Sequence, residues 1–283
     1  MTPEFVTIDW AGRPVSIEHQ WVGAGVGAGV GTHDPQRPLI VFLHEGLGSL
    51  SMWRDFPERL CQAANCRGLV YSRPGYGRST PRAANEAWGL DFMHRQAHEV
   101  LPALLDALNV RPDTSTVLNT PKPWLFGHSD GGSIALLHAA RYGAQLAGVI
   151  VLAPHILVED LSVASIKNTR QAYLATDLRA KLARHHDEPD SAFWGWNNIW
   201  LHPPFKQWTI EQEISTITCP LLAVQGLDDE YGTLAQIRGI GQRVPGTELL
   251  ELAHCGHSPQ RDQADALIAA ATNFIQRQTG DSA

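Results

Sequence analysis

Three features of the sequence predict an α/β fold, a doubly wound and mostly parallel sheet with an inserted helical segment. Short apolar runs recur along the chain, helical patterns fall between them, and one long interval near 155–210 breaks the alternation. Apolar runs without polar alternation suit parallel strands covered on both faces, and strand–helix alternation joins such strands into one sheet. At 283 residues the chain is long enough for one large domain of this kind.

The elements follow in order. Residues 4–22 alternate apolar and polar around Gly12-Arg13-Pro14, which predicts a β-hairpin. In "VGAGVGAGVG" (22–31), Gly23, Gly25 and Ala28 match the looser dinucleotide fingerprint. That motif needs a helix directly afterwards, and "THDPQRP" is a turn, so a linking loop is expected and no cofactor. Buried strands are then predicted at "LIVFLH" (39–44), "GLVYS" (68–72), "WLFGH" (124–128), "GVIVLAP" (148–154), "LLAVQG" (221–226) and "TELLELA" (247–253). Helices are predicted at 91–108, 131–142 and 261–277.

Between Ala153 and Leu221 no strand-like run occurs, helical pattern dominates, and aromatics crowd "AFWGWNNIW", Phe205 and Trp208. A gap of that length is not a simple loop. The expected division is therefore a core of 1–154 and 211–283, with 155–210 packed as a helical insertion over one end of the sheet.

Composition narrows the function classes. Hydrophobic residues make up 43% and charged residues 18%, with a formal charge of −7. An acidic chain without a Lys/Arg cluster releases no counterions from phosphates, so nucleic acid is not an expected partner. No apolar stretch approaches the ~20 residues of a membrane span, and "MTPEFVTIDW" lacks the pattern of a signal peptide, so a cytoplasmic location is expected. Nothing in the sequence sets an oligomeric state. Four cysteines (Cys61, Cys66, Cys219, Cys255) are too few for a disulfide scaffold and read as buried free thiols, the first two in one predicted helix.

The chemistry centres on "GHSDGG" (127–132), which places Ser129 between Gly127 and Gly131, after a strand and before the helix "GSIALLHAA". A serine on such a sharp strand–helix turn is held out as a nucleophile, and the Asp130 N–H at the helix start can face a developing oxyanion. A base is expected from the loop after the last strand. "LAHCGHSP" offers His254 and His257, of which His257, on the Gly256-His257 turn, is better placed to reach the serine. The His-x-x-His spacing could chelate a metal, but no other Cys/His cluster completes a site, so none is expected. The acid is expected after the preceding strand, where "AVQGLDDEYG" presents Asp228, Asp229 and Glu230.

The order Ser, Asp, His and the near-whole-chain pattern resemble the α/β-hydrolase superfamily. "FLHEGLGS" is similar to the family's oxyanion loop, and the resemblance makes Gly46 the second N–H donor beside Asp130. Glu45 departs from the usual glycine there, which brings a charge near the site. "YSRPGYGRST" resembles the turn after the fourth strand, with Ser72 in place of the usual aspartate, a difference that bears on loop packing. The insertion sits where the family has its helical cap. Relatives commonly place the acid three residues after the bend glycine, which implies Asp229.

Other residues have blander readings. His128 is expected to shape the turn, Asp130 to favour the helix dipole, and Arg73 to be solvated. Four tryptophans within residues 194–208 exceed what a small lid needs for its own core, so Trp194, Trp196 and Trp200 are expected to contact substrate.

A serine nucleophile argues against the dehalogenases and epoxide hydrolases of this superfamily, which resemble the fold but use aspartate. Carbon–carbon hydrolases of ring-cleavage products typically show G-N-S-M-G-G and a tryptophan after the histidine, and proline iminopeptidases G-G-S-W-G; this chain has neither. The expected function is hydrolysis of a small apolar or aromatic carboxylic ester, thioester or lactone through an acyl-enzyme. The alternatives are a carbon–carbon bond hydrolase and a non-catalytic small-ligand receptor.

Overall fold

In the computed structural model, which describes residues 3–23, 34–110 and 121–280, eight strands form one sheet. They are β1 (Glu4–Trp10), β2 (Arg13–Gly23), β3 (Leu39–Leu43), β4 (Arg67–Tyr71), β5 (Trp124–His128), β6 (Gly148–Leu152), β7 (Leu221–Gly226) and β8 (Glu248–Leu252). Their spatial order is β1-β2-β4-β3-β5-β6-β7-β8. The β1–β2 and β2–β4 pairs are antiparallel, and every other pair is parallel. The hairpin turn sits at Ala11 and Gly12, one residue earlier than expected, both at positive φ. Two such residues give the twist that a two-residue hairpin requires.

Helices fill the crossovers. After β3 comes α1 (Phe56–Ala63). After β4 come α2 (Phe92–Arg95) and α3 (Leu101–Ala107), joined by a π-helical turn at Gln96–Val100. After β5 comes α4 (Asp130–Tyr142). Between β6 and β7 lie α5 (Asp160–Ala175), α6 (Leu178–Leu182), α7 (Pro189–Trp200) and α8 (Glu211–Ile214). The last are α9 (Ala235–Arg243), α10 (Pro259–Asp262) and α11 (Ala264–Thr279). No described helix is long and apolar enough to cross a membrane.

The strands' two-residue period divides the core into two layers. Val41, Leu43, Leu125, Val149, Val151 and Ala223 face α3, α4 and α9. Their neighbours Ile40, Phe42, Phe126, Ile150 and Val224 face α1 and α11. Both faces of the parallel strands are therefore covered, which explains the unbroken apolar runs. The last strand differs: β8 is largely exposed, because it is the sheet's edge. Its acidic residues pair outward, Glu251 with Arg238 and Glu248 with Arg277, which suits an edge that must not recruit another strand.

Two further expectations are corrected or fall outside the described chain. Cys66 is not in the helix of Cys61. Asn65 takes a left-handed conformation (φ 53°), and Cys66 N–H and Asn65 N–H close back on the Cys61 and Gln62 carbonyls, a helix-ending Schellman arrangement. All four cysteines are buried free thiols. The glycine-rich stretch from residue 24 to 33 lies outside the described residues.

The turn after β4 shows how Ser72 is accommodated. Its hydroxyl donates to Glu18 Oε2 at 2.7 Å and accepts from Leu50 N–H at 2.9 Å. Glu18 Oε2 also accepts from Arg78 N–H at 3.0 Å. A carboxylate reaching across from β2 thus holds the turn together. Glu18→Ala is expected to cost roughly 1–3 kcal/mol in urea unfolding, because buried donors lose their acceptor. Ser72→Asp alone should also destabilise by setting two carboxylates together, and Ser72→Asp combined with Glu18→Ala should recover part of the loss. Equal losses in the single and double variants would contradict this account.

Candidate active site

Ser129 sits between the end of β5 and the start of α4 with φ 52° and ψ −119°. Such a conformation costs a non-glycine residue roughly 1–3 kcal/mol and persists only when the surroundings impose it. Here they do. The Ser129 N–H donates to Leu152 O at 2.9 Å, and its carbonyl accepts from Ser133 N–H at 3.0 Å. A Cβ on Gly127 would strike the Gly131 backbone, and one on Gly131 would strike the Leu43 backbone. The two glycines let strand and helix approach closely enough to force the corner.

The carboxyl ends of β7 and β8 bring two partners to that corner. His257 Nε2 lies 3.0 Å from Ser129 Oγ, and His257 Nδ1 lies 2.8 Å from Asp229 Oδ1. Asp229 is buried and well satisfied. Oδ1 also accepts from Tyr231 N–H at 2.8 Å and Gly232 N–H at 3.2 Å, while Oδ2 accepts from Gln225 Nε2 at 3.1 Å. Burial pushes its pKa up, but the His257 contact and the backbone donor outweigh burial and hold it below the usual carboxylate range. Asp228 is exposed. His254 occupies the exposed turn after β8 at φ 54°. Among the described residues no group of three or more His, Cys, Asp or Glu side chains is placed to hold a metal ion.

The loop after β3 is drawn inward by its own carbonyl. Glu45 O accepts from Gly48 N–H at 3.0 Å, Arg73 Nη2 at 2.9 Å and His44 Nδ1 at 2.7 Å. His44 Nε2 accepts from Arg73 N–H at 3.0 Å, which sets the Nδ1–H tautomer. Burial, with Arg73 nearby, holds His44 well below its ordinary pKa and therefore neutral. His128 does more than shape the turn. Its Nε2 lies 2.7 Å from the His257 carbonyl oxygen, and its Nδ1 lies 3.0 Å from Gln260 Nε2 and 3.5 Å from Glu45 Oε2. Three loops are tied at one imidazole.

Ser129, Asp130, His257, Gly46 and Glu45 open onto a cavity of about 680 Å³. Its apolar walls include Leu47, Met52, Ile166, Leu178, Leu182 and the indoles of Trp196 and Trp200. Trp196 packs over Gly46, where a Cβ would meet its ring. Trp194 does not line the cavity. It packs edge-on against Tyr173 and Phe193, with the Arg170 guanidinium 5.3 Å from its ring. The physical reason is helical spacing: Trp196 and Trp200 are four apart and share a face of α7, whereas Trp194 is two residues away and points elsewhere.

Residues 40–271 match the family described as "Alpha/beta hydrolase family". The chain belongs to the alpha/beta hydrolase family. It is 23% identical, over 85% of its length and 88% of the relative's, to the 2-hydroxy-6-oxo-6-phenylhexa-2,4-dienoate hydrolase of Burkholderia cepacia. It is 25% identical, over 88% of its length and 98% of the relative's, to the 2-succinyl-6-hydroxy-2,4-cyclohexadiene-1-carboxylate synthase of Klebsiella pneumoniae. Among solved structures, a thermophilic esterase from Thermogutta terrifontis superimposes with a TM-score of 0.69 at 16% identity, covering 98% of this chain and 99% of its own.

Within this alpha/beta hydrolase, two polar residues beside the corner differ from their sequence reading. Arg73 is not solvated but fully buried, 4.6 Å over the Tyr76 ring and 3.9 Å from Asp130 Oδ2. Asp130 is fully buried as well, and its side chain does more than sit near a helix dipole, since Oδ1 accepts from Trp200 Nε1 at 3.1 Å. Burial pushes the Asp130 carboxyl up to about 6, with Arg73 opposing. His155, Tyr231 and Gln260 were not singled out from the sequence. Position after β6, in "APHI", was the one available signal for His155.

Arg73→Met should therefore lower stability at pH 7.5 by about 3 kcal/mol, because it strands a buried carboxylate. The sign of the pH dependence follows from the raised Asp130 pKa. The cost of a raised acid is fully present above its folded pKa and fades as the pH falls toward the ordinary value. The gap between variant and wild type in urea unfolding should shrink by pH 5. A gap that widens on acidification would assign the cost to another group.

Proposed function

We propose that the protein is a serine hydrolase that cleaves a small, apolar or aromatic carboxylic ester, thioester or lactone through an acyl-enzyme. The observation that carries this reading is the continuous hydrogen-bonded series Ser129–His257–Asp229 at the floor of a largely apolar cavity. In this reading His257 Nε2 takes the Ser129 proton as Oγ attacks the carbonyl, and Asp229 stabilises the imidazolium. The imidazolium then gives its proton to the leaving oxygen or sulfur. Water repeats the sequence on the acyl-enzyme and regenerates Ser129.

The oxyanion donors are Gly46 N–H and Asp130 N–H. Asp130 is the first residue of α4, where backbone N–H groups have no intrahelical acceptor. For Gly46 the support is the inward pull on the Glu45 carbonyl: a trans peptide directs the next N–H the opposite way. Helices α5 to α7, in the interval 155–210, serve as a cap that supplies Ile166, Leu178, Leu182, Trp196 and Trp200 to the pocket and excludes water. The substrate is a small molecule, and the chemistry requires no cofactor or metal.

A second reading, a carbon–carbon bond hydrolase, is favoured by the likeness to the dienoate hydrolase. Charge argues for the ester. The single Lys or Arg among the described cavity residues is Arg261, exposed and hydrogen-bonded to Ser258 Oγ. Glu45 is held ionised, since the His128 contact outweighs the burial that opposes it. An anionic dienoate would meet more negative than positive charge there.

Three measurements test the reading. A fluorophosphonate should add once, on Ser129, by intact mass and peptide mapping; an adduct on another serine would sink the mechanism. Asp229→Asn should lower kcat on p-nitrophenyl esters by about 10⁴-fold, because the amide no longer fixes the imidazole tautomer, while Asp228→Asn stays within a few-fold of wild type. A ring-fission dienoate hydrolysed faster than any ester in a panel would replace the first reading by the second.

The cap assignment has its own test. Trp196→Ala should raise KM for bulky apolar esters several-fold while acetate ester kcat changes little, since uniform binding acts on KM. Trp194→Ala should leave both values near wild type. Equal responses of the two variants would mean that neither indole meets substrate.

A further inference from the structure

The loop after β3 is held a second time, from the far side of the cavity. Gly48 N–H donates to Glu45 O at 3.0 Å, which makes residues 45–48 a β-turn with Gly46 and Leu47 at its centre. The carbonyl of the same Leu47–Gly48 peptide accepts from His186 Nε2 at 3.0 Å. His186 lies between α6 and α7, 139 residues further along the chain. It is buried, with 3% exposure.

The proton on this imidazole has one possible place. Gly77 N–H can only donate, and it meets His186 Nδ1 at 2.9 Å, so Nδ1 is the bare acceptor and Nε2 carries the hydrogen. Burial pushes the His186 pKa down to about 4, while the Leu47 bond opposes it, so the ring is neutral near pH 7. Asp187 N–H returns a bond to Gly77 O at 3.0 Å, and the Tyr76 ring lies 6.1 Å from the imidazole. His186 is thus clamped between the loops after β3 and β4, although it belongs to neither.

A trans peptide sets its C=O and N–H in opposite directions. The His186 bond to Leu47 O therefore aims Gly48 N–H at Glu45 O. That bond in turn directs Gly46 N–H the other way, and Gly46 lines the cavity with Ser129. Two peptide planes in series connect the imidazole to the Gly46 donor, and hydrogen bonds in such a chain polarise one another. Arg73 and His44 hold the Glu45 carbonyl from the core. The Leu47 carbonyl is held from the interval between β6 and β7.

We propose that His186 is a positioning residue for the oxyanion loop: it fixes the Leu47–Gly48 peptide and, through it, the Gly46 N–H. The inference rests on the serine hydrolase reading, in which that N–H meets the developing oxyanion. Its consequence is that the helices over the cavity do more than line it. Seating their connecting turn against Gly77 and Leu47 completes the reactive end.

Kinetics on p-nitrophenyl acetate, whose acyl group is too small to depend on the apolar wall, test it. His186→Asn keeps an acceptor for Gly77 N–H but is too short to reach Leu47 O, and His186→Phe keeps a ring and loses both bonds. Each should lower kcat about tenfold, a part of the roughly 10²–10³-fold that loss of a whole oxyanion donor costs. KM should stay within about twofold of wild type, since a contact made only in the transition state acts on kcat. Fluorophosphonate labelling of Ser129 should slow in parallel, because the phosphoryl oxygen takes the oxyanion position. His186→Gln, with an acceptor and a donor on a longer arm, should recover part of the rate. Ser51→Ala removes an exposed neighbouring tie, Ser51 Oγ to His185 Nδ1 at 2.9 Å, and should leave kcat near wild type. Thermal melts identify the folded variants. A folded Asn or Phe variant that keeps wild-type acetate kcat and raises KM only for bulky esters overturns the proposal, because His186 would then only seat the helices. An equal loss in Ser51→Ala overturns it for the same reason. So does a wild-type 1H–15N spectrum with the His186 proton on Nδ1, a readout that needs no variant. Failure of the serine hydrolase reading is distinct: the wild-type protein would take no fluorophosphonate on Ser129 and turn over no ester, whatever the tautomer of His186.

Discussion

Everything at the reactive end of this molecule depends on one backbone corner. Ser129 holds a left-handed conformation because α4 lies so close to β5 at Gly127, and to the end of β3 at Gly131, that neither glycine has room for a Cβ. That approach is stabilised by the burial of α4, which is covered along most of its length, and by the parallel sheet that carries it. The strain is local, and the core that offsets it is spread over both faces of six parallel strands. The residues gathered around it arrive from the carboxyl ends of β3, β5, β7 and β8, where a doubly wound sheet gathers its loops.

Around that corner the polar groups form linked supports instead of independent contacts. His44 and Arg73 draw the Glu45 carbonyl inward, and His128 ties the His257 loop to the strand that bears Ser129. Glu45, unusual at its position, places its carboxylate beside His128 and so joins the β3 loop to the same imidazole. Buried charges are costly singly and tolerable in such company. Arg73 illustrates the point: as a turn arginine it would be solvated, but the cavity's floor closes over it and gives it the Glu45 carbonyl, the Tyr76 ring and the Asp130 carboxylate as neighbours.

The cavity above divides into two chemical regions. Trp196, Ile166, Leu178 and Leu182 make an apolar wall contributed by the helices between β6 and β7. Glu45, Ser129, Asn168, Thr169 and His257 make a polar one. The apolar wall selects by size and hydrophobicity, with a modest return for each methylene, whereas a polar wall discriminates more sharply because its mismatches leave groups unpaired. A pocket with both kinds of wall can be tuned through the helices between β6 and β7 without disturbing Ser129, Asp229 and His257.

The sequence by itself determined the order of strands and helices, the long helical interval and the serine corner, because each is written in local signals. Period, glycine placement and turn residues act over a few positions and need no distant partner to be read. His257 and the Asp130 N–H could be singled out for the same reason, by their place after particular strands, whereas Gly46 and Asp229 were implied by the resemblance to a known superfamily. What only the tertiary structure decided was which side chains share a space. Trp194 and Trp196 look alike in the sequence and part company through two residues of helical rotation. Arg73 and Glu18 are hydrophilic by composition yet buried, because partners 28 to 60 residues away complete their hydrogen bonds. The exposure of β8 follows from its place at the edge of the sheet, which its apolar pattern does not encode. His155 became visible only when Ser133 and Trp200 were seen to hold it, since burial and pairing are properties of the folded chain and not of a run of residues.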